Sequence, residues 1–195
     1  MAQILKLAAH FELFTVIPSS ASVAEGLKRL QDAQVNFAVV GDIQQPQTLI
    51  QANHLATLTG VQQRPLLEIL EQLPPLVILD GTEGDLVGDE IIHLMFLLDQ
   101  TGAPGVVVYQ DRQVRGIIAT DVVEAGLSSA PISPGTTKGL YNGLAGNPVL
   151  PTSLYVCHKC AASNPPPPLA LPREGDKAPV CPRYWFHGPM QREDA

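Results

Sequence analysis

The sequence contains a second copy of itself. Val23–Leu55 and Ile91–Val123 align without a gap at a constant separation of 68 positions. Under that shift Val23 falls on Ile91, Leu27 on Met95 and Leu30 on Leu98, and Ala38-Val39-Val40 falls on Val106-Val107-Val108. Leu49-Ile50 falls on Ile117-Ile118, and Leu55 on Val123. Self-similarity of this kind means two like units, each with an apolar face that the other can cover.

Both copies predict the same run of elements. Apolar residues at helical spacing predict helices over Val23–Gln31 and Asp89–Leu98. β-Branched runs predict strands at Phe37–Val40 and Gly105–Tyr109, and after a polar turn second strands at Thr48–Ile50 and Val114–Ile118. Asp42 and Asp111 stand in those turns and read as turn-formers. A closing helix starts near Ala52 in one copy and near Asp121 in the other. Further apolar strands, Leu13–Ile17 and Leu76–Leu79, precede the copies. Between them Pro65–Leu73 reads as a helix begun by Pro65 and stopped by Pro74 and Pro75.

The composition changes near residue 128. Ser128-Ser129-Ala130-Pro131-Ile132-Ser133-Pro134-Gly135 cannot sustain a long helix and reads as a linker. Pro165 to Pro168 favour an extended polyproline conformation further on. All three cysteines follow the linker. Cys157-His158-Lys159-Cys160 is a C-x-x-C knuckle, and Cys181 begins a similar segment in which Tyr184 stands where a second knuckle would place cysteine. His187 is then the candidate fourth ligand, giving Cys157, Cys160, Cys181 and His187 as a set that suits zinc. A tail this short buries little apolar surface, and a structural metal could supply the missing stability. The alternative is three reduced cysteines with no metal. Tyr184, Trp185 and Phe186 form an aromatic cluster suited to packing on the rest of the chain or on a partner.

Several function classes are disfavoured by charge and motif. The formal net charge is −7, without a basic run, which disfavours nucleic-acid binding on electrostatic grounds. No apolar run reaches about 18 residues, so no membrane span is expected. No leader pattern is legible at Met1–Ala9, and an odd number of cysteines points to reduced thiols; the expected compartment is the cytoplasm. There is no Gly-rich phosphate loop, nucleophile elbow or metalloprotease helix motif, and His54 and His93 stand alone, so an enzyme is not expected. Charged residues make up only 16 % of the chain, which suggests apolar surface covered by a second copy or a partner.

Val16-Ile17-Pro18, Ser22-Val23-Ala24-Glu25-Gly26-Leu27, Gly105-Val106-Val107-Val108 and Gly116-Ile117-Ile118-Ala119-Thr120-Asp121-Val122-Val123 together carry a family likeness. With the doubled β-α-β-β-α order, the segment Phe11–Leu127 resembles a tandem cystathionine-β-synthase-type (CBS) domain pair. The resemblance implies a mixed α/β (α+β) fold of two βαββα repeats, about 11–60 and 74–127, packed as a pair. A linker over 128–150 and a small irregular or zinc-ribbon-like tail over 151–195 would follow.

The resemblance further implies a cleft for an adenine nucleotide (AMP, ADP or ATP) or for S-adenosylmethionine, and a homodimer. It points to Ile118, Thr120 and Asp121 in the second copy, and to Asn53 in the first, as ligand-binding candidates. The sequence departs from the family pattern at one place. Counting from Gly116, the hydroxyl position holds Ala119 and the ribose-binding Asp position holds Val122, with Thr120 and Asp121 between. Thr120 and Asp121 therefore have a second reading, as caps of the last helix. The expected function is a non-catalytic regulatory sensor with an interaction surface on its tail. The alternatives are an assembly module that has lost its ligand, or a zinc-ribbon nucleic-acid binder.

Overall fold

The computed structural model describes residues 4–80, 85–128, 155–161, 167–172, 178–184 and 187–192. The expected linker lies outside these apart from Ser128, as do Pro165, Pro166, Trp185 and Phe186. The chain opens with β1, Ile4–Leu5, and a 3₁₀ turn at Leu7–His10. The first repeat follows as β2 (Phe14–Ile17), α1 (Val23–Ala33), β3 (Phe37–Gly41), β4 (Pro46–Gln51) and α2 (Ala52–Thr57). The second is β5 (Val77–Asp80), β6 (Leu86–Val87), α3 (Gly88–Thr101), β7 (Gly105–Gln110), β8 (Gln113–Ala119) and α4 (Thr120–Ser128). The tail adds β9 (Tyr155–Val156), α5 (His158–Ala161), β10 (Leu169–Pro172) and β11 (Gln191–Arg192).

The duplication is visible in the backbone. Phe37 pairs with Gln51 and Gly105 with Ala119, so both hairpins hold the same register 68 residues apart. Both ladders slip at the same place, between Val40 and Gly41 and between Val108 and Tyr109. Helix α1 ends on Gln34 in the left-handed conformation, φ 55°, and its counterpart Gly102 has φ 63°. The first strands fall outside the constant shift, since Phe14 pairs with Phe37 but Ile78 with Val107.

Local chemistry explains the element ends. Ser22 Oγ accepts the Glu25 N–H at 3.2 Å, and Glu25 Oε2 accepts the Ser22 N–H at 2.8 Å, a reciprocal cap at the start of α1. The Ser22 backbone bond, with help from its hydroxyl, holds the Glu25 carboxyl below its usual range. The β7–β8 turn has positive φ at both central residues, Asp111 and Arg112, which suits the twist of a two-residue hairpin. Asp42 Oδ1 accepts the Gln44 N–H at 2.8 Å, and Asp111 pairs with Arg115 at 3.0 Å, so both aspartates serve their turns. The segment expected as a helix over Pro65–Leu73 is a 3₁₀ helix over Leu66–Gln72, with Pro65 in an extended conformation before it. Prolines at both ends confine it to two short turns, and Leu66, Ile69 and Leu70 point into the core.

The repeats stack sheet against sheet. Phe37, Val39 and Leu49 of the first face Ile78, Val107 and Ile117 of the second in one inner core. The alternate residues point the other way. Ala38, Val40 and Ile50 pack under α1 and α2 with Val23, Leu30 and Leu55, while Val106, Val108 and Ile118 pack under α3 and α4 with Ile91, Leu94 and Leu98. Period-two alternation thus buries both faces of each sheet. Each fully buried Val, Leu or Ile side chain stabilises by about 1.5–3 kcal/mol relative to exposure.

Segments outside the repeats lock onto the second one. β1 pairs antiparallel with β6, Glu12 N–H donates to Ile117 O at 2.8 Å, and the Phe11 ring lies against Gly116, where a Cβ would be 2.5 Å from the ring. The tail continues the second sheet: β10 runs parallel to β5 with Leu169 opposite Val77, and β9 and β11 add antiparallel strands. The result is a six-stranded sheet, β11-β9-β10-β5-β7-β8, against a three-stranded one, β2-β3-β4. No helix among the described residues is long and apolar enough to cross a membrane.

At Gly105 an added Cβ would lie 2.5 Å from the Ile118 carbonyl oxygen, a backbone atom held in the same ladder. Gly105→Ala is expected to destabilise the protein by about 1–3 kcal/mol, read as a lower urea midpoint at unchanged slope. A variant as stable as the parent would mean that the ladder is looser than its geometry indicates.

Candidate functional site

Two places gather polar chemistry. One is a cleft of about 710 Å³ where the two repeats meet. The first repeat contributes Asn36 and Phe37 at the start of β3 and Gln51, Ala52 and Asn53 at the β4–α2 junction. The second contributes Ala103 and Pro104 before β7 and Ala119, Thr120 and Asp121 at the β8–α4 junction. Gln51-Ala52-Asn53 and Ala119-Thr120-Asp121 are the same positions of the duplication, so the cleft is built twice from one motif. Met95, Leu98 and Asp99 of α3, Gly102 just after it, Glu124 of α4 and Glu12 complete it.

Of the ligand candidates, Asn53, Thr120 and Asp121 line the cleft and Ile118 does not. Strand alternation turns Ile118 away, fully buried among the residues under α3 and α4. Thr120 Oγ1 donates to Ala103 O at 3.0 Å, and Asp121 Oδ1 accepts the Val122 N–H at 2.9 Å. Asn53 Oδ1 accepts the His54 N–H at 2.7 Å, the same bond in the other copy. These three side chains therefore serve the helix starts as well as facing the cleft. At the position where the family pattern expects aspartate, Val122 is partly buried and packs on both cores of the second repeat.

Among the described residues, four carboxylates line the cleft, those of Glu12, Asp99, Asp121 and Glu124, and no Lys, Arg or His does. Glu124 could have been found from sequence, since it stands one helical turn after Asp121. Glu12 and Asp99 could not, because only the crossing of the N-terminal segment and the approach of α3 bring them there.

The second place is the tail. Sγ of Cys157, Cys160 and Cys181 and a ring nitrogen of His187 all lie within 4.8 Å of one another. His187 Nδ1 is 3.5 Å from Cys157 Sγ, 3.4 Å from Cys160 Sγ and 4.0 Å from Cys181 Sγ, and Cys160 and Cys181 are 3.6 Å apart. A zinc tetrahedron with Zn–S near 2.3 Å and Zn–N near 2.0 Å has S···S edges of about 3.8 Å and S···N edges of about 3.5 Å. Three of these four spacings, 3.4, 3.5 and 3.6 Å, are close to those edges, and the fourth, 4.0 Å between Cys181 and His187, is longer.

Backbone bonds set this arrangement. Cys160 N–H donates to Cys157 O at 2.9 Å in the first turn of α5, Cys181 N–H to Gly188 O at 3.2 Å, and His187 N–H to Tyr184 O at 2.9 Å. The Tyr184 ring packs tilted against His187, centroids 4.9 Å apart, so the residue that interrupts the second knuckle supports the histidine that supplies its donor. His158 points outward and is no part of the cluster. All three cysteines are reduced and buried. Burial, reinforced by the neighbouring Cys181 and Cys157, pushes the Cys160 thiol up, and burial pushes Cys181 up as well. Three thiolates cannot share this space without a cation, and a divalent metal supplies that charge. The four donors fit a metal in a closed set, which makes any ion there structural.

No family model matches the chain, and no curated protein matches it. Among solved structures, a CBS domain pair/ACT domain protein from Thermotoga maritima is similar at 18 % identity and a TM-score of 0.41, over 64 % of this chain and 97 % of that one. The protein CBSX2, solved in complex with AMP, is similar at 20 % identity and a TM-score of 0.40, over 64 % and 97 %. A CBS domain pair solved with 5′-methylthioadenosine and S-adenosyl-L-methionine is similar at 18 % identity and a TM-score of 0.47, over 64 % and 97 %. The first and third of these are described as CBS domain pairs, and in this chain the doubled unit is followed by a tail with three cysteines and a histidine gathered at metal-binding distance.

Proposed function

We propose that the chain is a non-catalytic regulatory module whose inter-repeat cleft binds a small adenosyl compound of zero or positive net charge, S-adenosylmethionine above AMP, ADP or ATP. The observation that carries this is the lining of the cleft: among the described residues, four carboxylates and no side-chain cation. The family likeness of the sequence supplies the adenosyl class, and the charge of the cleft selects within it. A carboxylate accepts hydrogen bonds from both hydroxyls of a ribose, and Asp121 at the start of α4 is the residue proposed for that role. A phosphate would meet repulsion instead. Each carboxylate about 6 Å from a phosphate charge costs on the order of 2–3 kcal/mol at an effective dielectric near 20. A sulfonium or amino group gains by the same interaction. Because both repeats build the cleft, a ligand there favours one arrangement of the pair over others, which is how such a module would report occupancy. In this proposal the protein acts as a homodimer in the cytoplasm, and a partner reads it through the tail.

The expected result of calorimetric titration is saturable binding of S-adenosylmethionine, weaker binding of 5′-methylthioadenosine, and little heat with AMP or ATP. Asp121→Ala should weaken S-adenosylmethionine by about 10–100-fold, the loss of a charge-assisted hydrogen bond of about 1.5–3 kcal/mol. Tight binding of ATP would overturn the charge argument. One observation favours a second reading: Val122 is packed into the core where the family pattern wants a ribose-binding carboxylate. If a well-folded protein gives no heat with any of the four at millimolar concentration, the function is assembly alone. Light scattering would then test the homodimer directly.

We also propose zinc as the ion of the tail, held by Cys157, Cys160, Cys181 and His187. Elemental analysis of protein purified without chelator should give about one zinc per chain. Cobalt substitution should produce the intense thiolate-to-metal bands of a tetrahedral site, and Cys181→Ser should abolish stoichiometric binding. Metal-free protein that melts at the same temperature as the loaded form would sink the structural role.

A further inference from the structure

The tail touches both repeats. Its β10 lies along β5 of the second, and Arg183, only 3 % exposed, reaches the first, where it donates from Nη2 to Gln47 O at 2.6 Å. Arg183 stands two residues after Cys181.

Gln47 belongs to a hairpin that other groups also hold. Tyr109 Oη donates to Gln44 O at 2.7 Å, Val114 N–H donates to Ile43 O at 2.9 Å, and buried Thr48 donates to Pro74 O at 2.7 Å. The same strand, β4, has Gln47 near its start and the cleft residue Gln51 at its end.

We propose that Arg183 is a positioning residue that couples occupancy of the metal site to the β3–β4 hairpin, and through β4 to the first-repeat wall of the cleft. The inference rests on the zinc reading above. Chain geometry explains the coupling: Arg183 leaves the backbone two residues after Cys181, so an ion that fixes the Cys181 side chain also fixes the segment from which Arg183 reaches Gln47 O. Without the ion that segment loses its anchor. Arg183 then releases Gln47 O to reach water. The metal centre thereby acts at a distance, clamping the first repeat onto the edge of the second.

The test is hydrogen–deuterium exchange on the full chain, zinc-loaded and chelated, in the parent protein and in Arg183→Met, with zinc counted in each sample. In the parent, chelation should speed exchange by on the order of tenfold both in the tail and across residues 41–49 and Val114. Arg183→Met should keep about one zinc per chain and a protected tail, while 41–49 exchanges fast in the loaded form and no longer responds to chelation. Arg183→Lys, which keeps the charge but not the fork, should respond partially. If the parent binds zinc but chelation loosens the tail alone, the coupling is wrong and the zinc reading stands. If the parent holds no zinc, the zinc reading fails and takes the coupling with it. The parent comparison decides the matter even if Arg183→Met does not fold.

Discussion

Face-to-face packing of the two repeats is the constraint on which the rest depends. Val39 and Leu49 meet Val107 and Ile117 across the inner core, and the alternate residues on the same strands fill the spaces under the helices. A strand buried on both sides has no polar face, so one residue of slip would trade the inner core for the outer one. The matching registers and the matching slips at Val40 and Val108 are how two copies of one hairpin avoid that error. Everything with chemical potential sits at the margins of this packing, where the two copies cannot close on each other.

The cleft and the tail occupy such margins in different ways. The cleft forms at the starts of β3 and β7 and the ends of β4 and β8, where the inner core gives way to helix starts and the side chains turn polar. The tail extends the inner core instead. Cys157, Cys160, Cys181, Tyr155 and Met190 are continuous with Leu76, Tyr109 and Val114, so the donor cluster is also part of the apolar packing. That continuity accounts for buried thiols in a segment with little core of its own, and it joins the donor cluster mechanically to the repeats.

The charge pattern bears on what the protein can recognise. Among the described residues the cleft presents the carboxylates of Glu12, Asp99, Asp121 and Glu124 and no side-chain cation, a pattern that disfavours phosphate in the proposed ligand. The doubled motif does not carry this information. Asn53 and Asp121 are equivalent positions, one neutral and one charged, and half of the acidic lining comes from elements that the repeat alignment leaves out or leaves far apart.

Much of the architecture was legible in the residues. The repeat register, the helix and strand order and the Cys157, Cys160, Cys181, His187 set follow from local periodicity and spacing, which depend only on neighbours along the chain. Asn53, Thr120 and Asp121 reach the cleft because they sit at strand-to-helix junctions that the pattern marks, whereas the same alternation carries Ile118 to the opposite face. The 3₁₀ winding of Leu66–Gln72 was not legible, since an apolar run between prolines reads alike for both helices. What the sequence by itself determined is therefore the unit and its doubling, together with the donors of the tail. Only the tertiary structure decided that β10 joins the edge at β5, that Arg183 crosses to Gln47, and that Glu12 and Asp99 turn the cleft acidic. Each of those joins residues distant in sequence, and such contacts are selected by which edges and buried charges remain unsatisfied once the local elements have formed.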